Sequence, residues 1–98
     1  MIKKILTAAF IIIAGQAAKA ETIEDGYVGC LTGSALDEFV GAAANNDRRQ
    51  MEALLGVVCV PIGGYEFSVV DRGLLRSQIR VYVGSDSIVL WTVTEAIR

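Results

Sequence analysis

The chain has 98 residues, 53% of them hydrophobic, and a formal net charge of −2. This length has room for one domain. Histidine is absent, and every lysine (Lys3, Lys4 and Lys19) lies in the first twenty residues. The rest of the chain therefore lacks the base that a serine or cysteine nucleophile needs and the amine that Schiff-base chemistry needs. This composition argues against most familiar catalytic machinery, and we predict that the protein is not an enzyme.

Residues 1–20 have the pattern of a secretory signal peptide. Lys3 and Lys4 give a positive start, an apolar run follows over 5–15, and small residues lead up to Ala20. The apolar run is shorter than the roughly 20 residues that span a bilayer, which argues against a retained anchor. We predict cleavage after Ala20, a periplasmic or secreted product, and no membrane span after processing.

The product of this cleavage is acidic. Residues 21–98 keep all eleven acids but only six of the nine basic residues, so their net charge is −5. A negative surface repels phosphate backbones, which argues against nonspecific nucleic-acid binding. The sequence therefore predicts no nucleic-acid partner.

Cys30 and Cys59 are the only cysteines. In an oxidising compartment such a pair normally forms a disulfide, and closing this loop contributes roughly 3–4 kcal/mol. The spacing is far longer than that of a redox motif, and two thiols without histidine do not complete a zinc shell. We predict a structural disulfide, no metal site and no cofactor. Lipidation of Cys30 is the alternative, but charged residues separate Cys30 from the apolar run.

Two short helices are predicted between the cysteines. Ser34 is a candidate N-cap with Asp37 three residues later, and Asp47 is a candidate cap for a second helix that Gly56 ends. Apolar residues on one face of the first helix have the required spacing: Leu36, Phe39, Val40 and Ala43.

From Val57 onward the hydrophobic period changes to two, which predicts strands. Pro61 restricts the first strand to a sheet edge, and Thr94 is a candidate cap for a final helical turn. Glycine-containing turns separate the predicted strands: 57–60, 65–70, 75–83 and 88–93.

These patterns predict an α+β fold with one disulfide. We expect a flexible lead-in over 21–26 and a single small domain over 27–98. An N-terminal helical hairpin in 27–56 would be followed by a small antiparallel, barrel-like sheet of about four to five strands in 57–98.

The strand region resembles the small Src-homology-3-like barrels of exported bacterial proteins. The matching features lie in 61–98: the Gly63-Gly64 turn, the strand Phe67-Ser68-Val69-Val70-Asp71, the Arg72-Gly73 turn, the strand Gln78-Ile79-Arg80-Val81, the Gly84 turn, and Trp91 before a terminal helical turn. The chain departs from the family at Leu90, where glycine is usual, and in having a helical hairpin. The resemblance implies a five-stranded barrel-like sheet and a binding or structural role toward cell-envelope material.

Four residues form the predicted partner-binding face. Arg76, Arg80 and Tyr82 share one face of a predicted strand, and Arg72 has the same parity in the preceding turn. Arginine binds carboxylates and phosphates in a bidentate manner, and tyrosine adds a flat amphipathic surface. The alternative is an ordinary solvent-exposed face whose arginines pair with Glu66 across the hairpin.

Aromatic residues suggest a second site. Trp91 could line a shallow peptide groove together with Tyr65 and Tyr82, as in barrel modules. The alternative, which we favour for Trp91, is that it fills the core, because a domain this small needs large buried side chains.

The leading functional hypothesis is a small non-catalytic binding protein that engages a protein or a cell-envelope polymer. One alternative is an inhibitor or accessory subunit of a secreted enzyme, since a rigid, disulfide-linked domain loses little entropy on binding. Another is a carboxylate-based hydrolase of envelope glycan, which needs two carboxyl groups about 5–10 Å apart in a cleft.

Overall fold

A computed structural model describes residues 21–98 of the chain. Five strands form one antiparallel sheet, and two helices follow its first strand. The strands are β1 (Val28–Cys30), β2 (Cys59–Pro61), β3 (Phe67–Asp71), β4 (Arg76–Val83) and β5 (Asp86–Val93). The helices are α1 (Gly33–Ala44) and α2 (Arg48–Leu54), and a 3-10 turn, Thr94–Ile97, ends the chain. The predicted signal peptide, 1–20, lies outside the described residues.

The α+β class and the disulfide are confirmed, but two finer predictions are wrong. The sheet has the order β2-β1-β5-β4-β3 and does not close into a barrel, so β2 and β3 are its edges. The helical hairpin is not N-terminal, because β1 precedes it. A three-residue strand is too short to show an alternating pattern, and its central Gly29 disfavours a strand prediction. A Cβ at Gly29 would lie 2.9 Å from Leu90 Cδ1, so the packing explains the glycine.

The disulfide joins directly opposed residues of β1 and β2. Cys30 and Cys59 are register partners with a Cα–Cα distance of 4.0 Å. The Leu31 N–H donates to the Val58 carbonyl at 2.8 Å, one residue beyond the pair on each strand. Cys30 and Cys59 therefore form a non-hydrogen-bonded pair, the position where opposed side chains come closest.

Pro61 fits its strand for a related reason. Its partner is Val28, and the Ile62 N–H donates to the Tyr27 carbonyl at 3.0 Å. This is again a non-hydrogen-bonded pair, in which the proline nitrogen faces away from β1. The missing N–H thus costs no ladder bond, and the predicted edge position of this strand is confirmed.

The helix caps agree with the predictions in part. Asp47 Oδ1 accepts the Gln50 N–H at 3.2 Å, as predicted for α2. At α1, however, Thr32 is the cap, and its Oγ1 accepts the Ala35 N–H at 3.0 Å. Ser34 lies two residues beyond this cap, within the first turn of α1. Gly56 ends the helical region with φ of +83°, a conformation that favours glycine.

The two faces of the sheet carry separate cores. The first, here called the strand core, contains eight buried residues: Ile23, Ile62, Phe67, Ile79, Val81, Leu90, Ala96 and Ile97. The second, here called the disulfide core, contains five buried residues beneath the helices: Cys30, Ala35, Leu36, Leu54 and Cys59. The alternation along β5 places Leu90 in the strand core and Trp91 against the disulfide core, whereas β4 contributes Ile79 and Val81 to the strand core alone.

The segment 21–26, predicted as a flexible lead-in, lies against the sheet. Ile23 is 1% exposed and belongs to the strand core. Its N–H donates to the Tyr65 carbonyl at 3.1 Å, and Thr22 forms an antiparallel bridge with Glu66. Within residues 21–98, neither helix has the length and apolar character needed to cross a bilayer.

Candidate functional site

An open groove of about 880 Å³ runs between α1 and the loop that joins β3 to β4. We call it the α1 groove, and we call residues 72–75 the β3–β4 loop. Apolar residues from three elements line most of it: Leu36 and Val40 from α1, Leu74 and Leu75 from the loop, and Trp91 and Val93 from β5. The groove exists because the helices cover the β2–β1–β5 side of the sheet and leave a gap toward β4.

The β3–β4 loop presents two leucines to solvent. Leu74 is 91% exposed and Leu75 is 81% exposed. Each leaves most of an apolar side chain in water, at a cost of about 2 kcal/mol compared with burial. Adjacent exposed leucines beside an apolar groove are the pattern of an interaction surface rather than of ordinary surface composition.

Hydrogen bonds hold this loop in place. The Gly73 N–H donates to Ser77 Oγ at 3.1 Å, and Thr94 Oγ1 donates to the Gly73 carbonyl at 3.0 Å. The Thr94 N–H donates to the Leu75 carbonyl at 2.9 Å. Thr94, predicted as a helix cap, makes no side-chain cap bond and anchors the loop instead. The leucines are therefore displayed on a fixed backbone, which lowers the entropic cost of binding.

Arg76 clamps α1 to the sheet. Its Nη1 donates to Asp37 Oδ2 at 2.7 Å and to the Gly33 carbonyl at 2.9 Å. Its guanidinium carbon lies 5.3 Å from the centroid of the Trp91 ring, within cation–π range. One terminal nitrogen of Arg76 and its positive charge are thus engaged within the molecule, beside the groove.

The rim of the α1 groove is acidic. Asp71 and Glu95 line it together with the Asp37–Arg76 ion pair. Within residues 21–98 that ion pair is the only one, so neither Asp71 nor Glu95 has an ion-pair partner there. The Tyr27 hydroxyl donates to Glu95 Oε2 at 2.9 Å, and this bond raises the pKa of Tyr27.

A smaller cavity of about 140 Å³ continues the groove along the inner side of α1. It shares Leu36, Val40 and Val93 with the groove and extends to Tyr27 and Phe39. Together the two cavities give α1 a continuous apolar flank next to the sheet.

The structure separates the four predicted partner-binding residues. Arg76 lies in the groove and Arg72 in the exposed loop, whereas Arg80 and Tyr82 lie farther along β4 and do not line the groove. The Tyr82 hydroxyl is 2.9 Å from Ser68 Oγ on the neighbouring strand. We call Arg80, Tyr82 and Ser68 the β4 platform. The alternative Glu66 ion pair is not formed among the described residues.

Trp91 is half-buried, so neither sequence interpretation holds alone. It packs against the disulfide core and also lines the groove. Sequence reasoning placed Leu75 on a strand face and did not single out Leu74. The sequence does contain a signal for this loop, since two consecutive leucines after a glycine turn interrupt the alternation expected of a strand.

Comparisons of the chain with protein-family models, with curated proteins and with solved structures give no match. The resemblance of 61–98 to Src-homology-3-like barrels stays a prediction.

Proposed function

We propose that the protein is a small exported, non-catalytic binding module that engages a protein partner through the α1 groove. The observation that carries this proposal is the pair of exposed leucines, Leu74 and Leu75, on a fixed loop beside an apolar groove. Binding sites of proteins concentrate their energy in such apolar centres surrounded by polar rims. Trp91 supplies the aromatic residue that these centres commonly contain.

The charges of the groove favour a particular kind of partner. Asp71 and Glu95 have no ion-pair partner within residues 21–98, and this part of the chain is acidic as a whole. An anionic envelope polymer would be repelled at this site. A protein segment with large apolar side chains and an arginine or lysine beside them would match both the groove and its rim.

Export and oxidation are parts of the same proposal. The buried Cys30–Cys59 bond suits an oxidising compartment, and the sequence of residues 1–20 has the signal-peptide pattern. Mass spectrometry of the protein purified from its host tests this part. We expect loss of residues 1–20 and of two hydrogens. An unprocessed chain with both thiols free would contradict it.

A peptide selection tests the groove directly. The processed protein would be panned against a random peptide library, and the enriched peptides should combine large apolar residues with arginine or lysine. Val40→Arg places a charged side chain in the groove at a position that is 43% exposed, so the fold should tolerate it. We expect this variant to lose the selected peptides.

Ala44→Arg is the matched control, because it adds the same charge at an exposed position of α1 outside the groove. Variants of the β4 platform, Arg80→Ala and Tyr82→Ala, should also retain binding. If the platform variants lose the peptides and Val40→Arg retains them, the peptides bind the β4 platform and not the α1 groove. That result would overturn the proposal.

Asp71 and Glu95 support one other candidate. Two carboxyl groups in one groove are the minimum for glycan hydrolysis by acid–base chemistry. We would incubate the processed protein with envelope glycan and measure newly formed reducing ends. Activity that Asp71→Asn and Glu95→Gln both abolish would favour a hydrolase, whereas no turnover rejects it.

A further inference from the structure

We propose that the partner of the α1 groove is a second copy of this chain. In the dimer, the β3–β4 loop of each copy lies on the groove of the other. This inference rests on the proposed function, because it names the occupant of the same site.

The leucine side chains of the loop are apolar, like most of the lining of the groove. Leu74 and Leu75 protrude at one wall of the groove, with exposed fractions of 91% and 81%. The groove offers Leu36, Val40 and Trp91 as an apolar floor and wall. Two copies brought together at this wall would cover both pairs of leucines at once.

The charges of the loop and the rim are complementary. Arg72 precedes the leucines, is exposed, and has no ion-pair partner within residues 21–98. Glu95 is exposed on the groove rim and also lacks a cationic partner there. Arg72 is the one cation of the loop and lies between Asp71 and the leucines, so the loop offers the groove two large apolar side chains and a single positive charge that can meet Glu95.

The geometry suits a two-fold axis. In a two-fold dimer, residue i of one copy meets residue j of the other and the contact is repeated in reverse. Because the β3–β4 loop forms one wall of its own groove, an axis through this wall lets the leucines of both copies meet. The contact consists of one short loop and one groove from each copy, so we expect a weak dimer that depends on concentration.

A charge-swap experiment tests this arrangement. Sedimentation of the processed protein over a concentration series should show reversible doubling of mass. Arg72→Glu sets like charges against Glu95 in both contacts, and Glu95→Arg sets like charges against Arg72. For each variant alone, we expect the dissociation constant of the dimer to rise at least about tenfold. An equimolar mixture of the two variants should dimerise as the original protein does, because both opposite-charge pairs are restored.

Two controls separate the interface from general charge effects. Arg80→Glu makes the same charge change as Arg72→Glu, but on the exposed β4 platform, and should leave dimerisation unchanged. Glu95→Gln keeps an acceptor for the Tyr27 hydroxyl while removing the rim charge, and should weaken dimerisation less than Glu95→Arg.

The outcomes distinguish this inference from the proposed function. A monomer at every concentration overturns the dimer, and the peptide selection then decides whether another protein occupies the groove. A dimer that resists both charge reversals, or that the mixture fails to restore, also overturns this interface. Binding of the monomer to phosphatidylglycerol vesicles, lost in Leu74→Ser, would identify a lipid surface as the occupant and contradict the inference.

Discussion

The two sides of the sheet differ in how completely they are covered. The strand core is closed by segments from both ends of the described chain, since Ile23 lies at one end and Ala96 and Ile97 at the other. The disulfide core is covered by two short helices and is left open at the α1 groove. One face of the sheet is thus fully covered, whereas the other keeps an open apolar groove, which is the surface proposed above to bind a partner.

The covalent bond compensates for this incomplete packing. Among the described residues the disulfide core has five buried members, two of which are the cysteines. The closed loop of 29 residues contributes roughly 3–4 kcal/mol through the lost entropy of the unfolded chain. A small domain has a total stability of about 5 kcal/mol, so this bond accounts for a large part of it.

Removing the disulfide should have the largest effect. We expect the double substitution Cys30→Ala and Cys59→Ala to lower the free energy of unfolding by about 3–4 kcal/mol, measured by urea denaturation. Hydrogen exchange should accelerate more in α1 and α2 than in β4, because the bond lies beneath the helices. Equal acceleration on both sides of the sheet would show that the two cores do not differ in this respect.

A cavity in the strand core should have the next largest effect. Ile79 is 0% exposed at the centre of β4, and Ile79→Ala should cost about 3 kcal/mol through lost burial and the cavity left behind. Val83→Ala, at a half-exposed position of the same strand, is the control and should cost less than about 1 kcal/mol. If the two variants lose similar amounts of stability, the strand core is not the main apolar contribution to the free energy of unfolding.

The contacts of Arg76 with Asp37 and Trp91 should contribute less to the free energy of unfolding. Arg76→Met keeps most of the side-chain length but removes the ion pair with Asp37 and the cation on Trp91. Both partners of the ion pair are substantially exposed, so we expect a loss of about 1 kcal/mol. The same substitution should increase hydrogen exchange in the first turn of α1. An unchanged exchange rate there would show that Arg76 does not fix the helix.

The smallest effect concerns alkaline pH. The hydrogen bond to Glu95 raises the pKa of Tyr27 above its ordinary value of 10.0. Folding thus favours the protonated phenol of Tyr27. Its contribution to the free energy of unfolding is fully present below the pKa of the unfolded state, and it is lost as the pH rises through the pKa of the folded state. Stability should therefore fall above about pH 10, and Tyr27→Phe should make this decline shallower. If the original protein and the Tyr27→Phe variant have the same dependence of stability on pH, Tyr27 does not have this role.

The sequence predicted the elements better than their arrangement. Asp47 was recognised as a cap, and the alternation along β4 correctly separated Ile79 and Val81 from Arg80. These features depend on local chemistry and on periodicity, which a sequence displays directly. The strand β1 was missed because three residues carry no measurable period, and its pairing with β5 depends on contacts more than sixty residues apart.

The candidate site was predictable only in part, for a similar reason. Arg76 was identified as a binding residue from its strand face, but its engagement by Asp37 depends on where α1 packs. Leu74 and Leu75 were visible in the sequence as apolar residues, yet their exposure depends on the hydrogen bonds between Gly73, Ser77 and Thr94. Pairwise tertiary contacts of this kind leave no pattern in a single sequence.

Trp91 allows the most direct measurement of the central claim that the α1 groove is the binding surface. It is the only tryptophan in the chain, and it lines the groove. In nuclear magnetic resonance spectra of the processed protein, we expect the indole N–H signal and the Leu74 and Leu75 amides to shift together when a selected peptide is added. The Arg80 and Tyr82 amides should stay in place. Shifts confined to Arg80 and Tyr82, with an unmoved indole signal, would contradict the account.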